Sequence, residues 1–127
     1  FMEVTGPTIG LLLDTGHATF AGVDPVGLAR DYGAQITHVH CKDIREKVRA
    51  DMAPDASFLD GVVDGVFTVP GDGDVDFAPV LSEIAKTDYA GWLVVEAEQD
   101  PQKYDPETYA NLGFANLQSL ATQAGLL

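Results

Sequence analysis

The sequence predicts an α/β fold with parallel strands, and three observations carry that expectation. Short runs rich in apolar or β-branched residues occur at 9–13, 35–41 and 92–97. Segments with helical spacing follow them at 25–32, 77–86 and 106–124. Each strand-like run also ends in residues that can bind a metal or move a proton. Strands alternating with helices imply parallel pairing through right-handed crossovers, with helices covering the sheet.

Residues 9–13 follow Gly6-Pro7, carry no polar side chain and stop at the turn signal Asp14-Thr15-Gly16, the pattern of a buried strand. Asp24 then supplies a helix N-cap and Pro25 the first helical position; Leu28, Ala29 and Tyr32 form its apolar face, and Gly33 ends it. Residues 35–41, QITHVHC, read as a second strand. The two-residue period places Ile36, His38 and His40 on one face and Cys41 on the other.

Residues 42–76 form a long irregular region, with a helical patch at Phe58, Leu59, Val62 and Val63, an extended piece at 66–69 and a turn cluster at 70–74. Irregular stretches of such length in a compact domain are usually functional or disordered. Asp74 or Asp76 is expected to cap the next helix, at 77–86, whose apolar positions 77, 80, 81 and 84 follow the 3.6-residue spacing. Residues 92–97, WLVVEA, are expected to be a third buried strand, ending in the acidic residues Glu96, Glu98 and Asp100. Asp105-Pro106 opens a final helix, with Tyr109, Leu112, Leu117 and Leu120 as its apolar stripe up to Gly125. Three apolar parallel strands leave edges and faces uncovered, so more strands are expected to join them, from another segment or another chain.

Composition narrows the partners. The 127 residues, 46% hydrophobic, suffice for one domain over 1–127. Twenty acidic residues against seven basic ones give a formal charge of -13, which argues against nucleic acid or an anionic membrane as a partner. The single cysteine, Cys41, rules out an internal disulfide and suits a reducing, cytoplasmic setting. No apolar run approaches the ~20 residues of a membrane span, and no basic-then-apolar leader is present. A start at Phe1 suggests a piece of a longer chain.

In α/β folds chemistry gathers at the carboxyl ends of parallel strands. Here those ends carry Asp14 with His17, His40 with His38, and Glu96 with Glu98. An Asp, a His and a Glu from three successive strands form a mixed oxygen and nitrogen ligand set, which suits manganese, cobalt, zinc or iron better than magnesium or calcium. Each residue alone has a plainer reading: Asp14 as a turn residue, His38 and His40 as satisfied core histidines, Glu96 as a solvated strand end. The coincidence at three strand ends favours the metal.

Lys42 and Arg45, just after His40, are candidates to orient or polarise an oxygen-rich substrate, against the alternative of solvated ion pairing with Asp43. Cys41 reads as core rather than nucleophile or ligand. The run PGDGDVDF at 70–77 lacks the lysine and glycine spacing of a phosphate loop and reads as a tight turn into a helix.

The runs GLLLDTGH (10–17), THVHCKDIR (37–45), FLDGVVDGVFTVPGDGDVDF (58–77) and GWLVVEAEQDP (91–101) together resemble the xylose isomerase-like barrels, and within them the inosose dehydratases of myo-inositol catabolism. The resemblance implies the carboxyl-terminal part, about the last three βα units, of an eight-stranded TIM barrel. It places the metal on Asp14, His40 and Glu96, with His17 beside it as a metal-proximal or substrate-binding residue, and makes His38, Lys42 and Arg45 weaker substrate contacts. His17 or Lys42 would serve in proton transfer. It implies manganese or cobalt, with glutathione as a second component, and a small polyol or keto-inositol substrate. The reaction implied is a hydro-lyase step giving a trihydroxycyclohexane dione. Two alternatives stay open: sugar isomerisation or epimerisation at the same metal site, and an inactive piece that self-associates. The missing side of the barrel would come from an amino-terminal half or from a second copy.

Overall fold

A computed structural model describes residues 2–127. After a short helix α1 (Met2–Thr5) the elements run β1 (Leu11–Asp14), α2 (Thr15–Phe20), α3 (Pro25–Tyr32), β2 (Ile36–Cys41), β3 (Asp43–Ile44), α4 (Glu46–Ala50), α5 (Phe58–Asp64), β4 (Phe67–Thr68), α6 (Phe77–Ile84), β5 (Leu93–Val95) and α7 (Pro106–Ala124). Strands β1, β2 and β5 form one sheet in that order, with both pairings parallel, as the strand and helix alternation requires. A second, two-stranded antiparallel sheet pairs β3 with β4.

One face of the parallel sheet is the core. Leu13, Val39 and Cys41 pack there against Ala29 of α3, Phe77, Val80, Leu81 and Ile84 of α6, and Leu117 and Ala121 of α7. All four apolar positions expected of α6 are buried. Its N-cap is Asp76, which accepts from Ala78 N–H; Asp74 instead accepts from Glu46 N–H and ties the loop to α4. Asp24 and Asp105 cap α3 and α7 as expected.

Several expectations need correction. Residues 9–13 and 92–97 are not buried strands: Leu12 is 48% exposed, Trp92 77%, and β5 is half-buried throughout, because among the described residues the second face of the sheet is only partly covered. Ile36 does not stay with the histidines; it joins the helix-side core with Val39 and Cys41, and the β1–β2 register shifts between Leu11 and Leu12. Gly33 follows α3, but in a right-handed conformation that starts a 3-10 turn. In α7, Leu112 points outward, and the buried stripe is Gly113, Leu117 and Ala121.

The region 42–76 is more ordered than its sequence suggests. Asp43, fully buried, organises it by accepting four backbone N–H bonds, from Ile44 and Val75 to Oδ1 and from Gly71 and Gly73 to Oδ2, at 2.8–3.1 Å. Burial pushes the Asp43 carboxyl up, and those four donors pull against it. Gly73 is required for this approach, since a Cβ there would overlap Asp43 Oδ1 and Ile44 O. A small second core, Ile44, Val66 and Phe67 with Phe20, Val48, Met52 and Val62, forms beneath the loop. Among the described residues, no helix is long and apolar enough to cross a membrane.

Candidate metal centre

The carboxyl ends of β1, β2 and β5 meet at one place because the parallel register aligns them. Asp14 pairs with His40, and His40 with Val94, two residues before Glu96. Side chains two apart share a face, so Asp14, His40 and Glu96 emerge on the side of the sheet opposite the helices. One ligand atom from each lies within 4.8 Å of the others, a spacing that could hold a metal ion.

Asp14 serves two structures at once. Its Oδ1 accepts His17 N–H at 2.8 Å, which caps α2, while Oδ2 lies 3.6 Å from His40 Nδ1. The turn signal in the sequence is thus a helix N-cap, and α2 is an element that the periodicity did not announce. Glu96 Oε2 lies 3.0 Å from His40 Nδ1 but is buried with no hydrogen bond. A buried carboxylate oxygen left without a hydrogen bond beside a histidine nitrogen has lone pairs available to a shared cation. The donor set and this orphaned oxygen both fit a divalent metal.

Lys42 follows β2 at the next position of the histidine face. It is wholly buried, and its ammonium lies 2.9 Å from Glu98 Oε2, 3.3 Å from Glu96 Oε2 and 3.4 Å from Asp14 Oδ2. A buried ammonium needs such compensation. Its backbone is fixed by Thr15, whose hydroxyl donates to Lys42 O at 2.6 Å and accepts Lys42 N–H at 3.1 Å. Gly16 lets the α2 backbone lie against the lysine stem, where a Cβ would stand 2.6 Å from Lys42 Cγ.

His17 completes the cluster. Its Nε2 is 2.8 Å from Lys42 Nζ and 2.9 Å from Glu98 Oε2, and its ring edge packs on Phe58 and Phe67. With its side chain 43% exposed, His17 stands at the mouth of the site, while Lys42 lies inside. Burial alone would raise the Glu98 carboxyl, but hydrogen bonds from Lys42 and His17 hold it below its ordinary value.

The remaining candidates separate. His38 lies one pleat behind His40, with ring centroids 5.3 Å apart. Arg45 does not join the cluster: its guanidinium binds Gly65 O, Thr68 Oγ1 and Asp72 Oδ2 and stacks 4.7 Å over Tyr104, so its donors are committed to the loop. Cys41 is core, and burial pushes its thiol up to about 12. Sequence reasoning gave no role to Glu98 or Thr15. The two-residue period signalled Glu98, which sits two positions beyond Glu96, whereas Thr15 carried no signal.

Residues 2–120 match the model of the xylose isomerase-like TIM barrel family. Among curated proteins, the rhizopine catabolism protein MocC of Rhizobium meliloti is 55% identical over 125 residues, covering 98% of this chain and 38% of that protein. The inosose dehydratase of Clostridium tetani is 53% identical over 111 residues, covering 86% of this chain and 37% of that enzyme. Among solved structures, a xylose isomerase domain protein from Alicyclobacillus acidocaldarius superimposes with a TM-score of 0.67 at 26% identity, over 98% of this chain and 41% of that one. The chain thus spans about two-fifths of the length of these relatives.

Proposed function

The chain belongs to the xylose isomerase-like TIM barrel family, and on that premise we propose that it carries the metal-binding half of a hydro-lyase that removes water from 2-keto-myo-inositol. The product would be a trihydroxycyclohexane-1,2-dione. The observation that carries this reading is the convergence of Asp14, His40 and Glu96 from three neighbouring strand ends, with Glu96 Oε2 buried and unbonded. The inosose dehydratases among the relatives, 46% to 53% identical, support the choice of substrate.

Asp14, His40 and Glu96 would hold a divalent cation, manganese or cobalt in this reading, which would supply Lewis-acid polarisation of the substrate's ketone. The chain's own residues do the rest. Lys42 presents a fixed positive charge toward the same space and can donate a proton to a departing hydroxyl. His17, at the mouth, can take or return a proton through Nε2. Phe58 and Phe67 pack against its ring in T-shaped contacts. His38 is a candidate substrate contact deeper in the face. The open edges of β1 and β5 are where this reading places the rest of the barrel, from an amino-terminal half or a second copy.

Incubating the protein and keto-inositol with manganese or cobalt, with and without glutathione, tests the assignment. A product lighter by one water supports the hydro-lyase. An isomeric product of unchanged mass overturns it in favour of an isomerase or epimerase.

A further inference from the structure

Resting on the metal-site reading above, we propose that Glu98 is a positioning residue: it is the counter-ion that keeps the Lys42 ammonium and the His17 ring in the site once a cation claims Asp14 and Glu96. Three atoms, Lys42 Nζ, His17 Nε2 and Glu98 Oε2, stand 2.8, 2.9 and 2.9 Å apart in a closed triangle. The ammonium donates to Glu98 Oε2 and lies within hydrogen-bond reach of Nε2, while His17 Nδ1 faces Asp14 Oδ2 at 3.5 Å. Glu98 thereby fixes both the place of the ammonium and the orientation of the ring.

The other two carboxylates cannot take over this task. Asp14 Oδ2 and Glu96 Oε2 each face Lys42 Nζ and His40 Nδ1 with the same oxygen. A cation beside His40 draws on those oxygens and repels the ammonium. Glu98 lies outside the ligand set and remains available. Three carboxylates then balance one ammonium and one divalent ion; without Glu98 the site carries a net positive charge, and a wholly buried lysine has the strongest reason to leave it.

Glu98 should then be dispensable for Lys42 in the metal-free protein and indispensable in the loaded one. Ammonium protons of a buried, ion-paired lysine exchange slowly enough to be followed by nitrogen-proton NMR, and zinc serves as a diamagnetic probe ion. In the unsubstituted protein the Lys42 ammonium signal should persist from zero to saturating zinc, while the His40 ring nitrogens shift. In Glu98→Gln the signal should be present before zinc and lost on zinc binding, its exchange accelerated at least ~tenfold by loss of a charge-assisted bond. Glu98→Asp, which keeps the charge, should retain it. Persistence of the signal in zinc-loaded Glu98→Gln overturns the proposal, and so does its absence before zinc is added, which would mean a purely structural role. If Glu98→Gln does not fold, a loaded Glu98→Asp protein that loses the signal counts equally against it. Failure of the metal-site reading is seen separately, in His40 resonances that zinc leaves unmoved in the unsubstituted protein.

Discussion

Asp14 holds the backbone of His17 with one carboxylate oxygen, at 2.8 Å, and faces His40 with the other. The two oxygens can be separated by substitution. Asn caps a helix about as well as Asp, whereas Ala removes the cap at about 1 kcal/mol. Asp14→Asn should therefore unfold within a few tenths of a kcal/mol of the parent yet bind metal poorly, and Asp14→Ala should lose both stability and metal. Denaturant titration beside metal analysis checks the pair; equal stability loss in both variants would remove the cap from the account.

Gly16 should tolerate no side chain. A Cβ would sit 2.6 Å from Lys42 Cγ and 2.9 Å from its Cβ, near the base of a stem that Thr15 holds by the backbone. Gly16→Ala should destabilise by about 1–3 kcal/mol, the usual range for overpacking. Chemical denaturation measures this, and an unchanged midpoint would show that the lysine stem can yield.

Asp43→Asn replaces a carboxylate whose two oxygens each accept two backbone N–H bonds. An amide has only one such oxygen, so its NH2 must face two donors. Each N–H left without an acceptor costs about 1–3 kcal/mol, and the turn at 70–74 should loosen. Thermal unfolding should show a lowered midpoint, with faster amide exchange at Gly71 and Gly73 or at Ile44 and Val75.

Cys41 should be inert in the folded protein. Burial holds its thiol at about 12, so at pH 8 only about one molecule in ten thousand carries the thiolate that reacts. The sign is simple: thiolate appears only as pH rises toward the raised value. Thiol reagents at pH 8 should label the denatured chain and spare the native one; rapid native labelling would contradict the burial.

The parallel sheet, the three capped helices and the convergence of Asp14, His40 and Glu96 were legible because they rest on local rules. Asp-Pro pairs mark helix starts at Asp24 and Asp105, and period two carries His38, His40 and Lys42 to one face. Failures came where long-range contacts decide. Nothing in the sequence around Asp43 says that it will collect three backbone donors from a loop some thirty residues away. Arg45 sits as close to His40 in sequence as a ligand-adjacent cation should, yet Asp72 and Tyr104 draw it into the loop. The apolar runs suggested buried strands, but hydrophobicity reports the capacity to be buried, and Leu12 and Trp92 face an uncovered side.

Asp14, His40 and Glu96 are proposed to form one cation site. Manganese bound per chain, measured at equilibrium in the parent and in Asp14→Ala, His40→Ala and Glu96→Ala, tests it most directly. The parent should bind one ion, and each variant should show a sharp loss. Undiminished manganese in any of the three would contradict it.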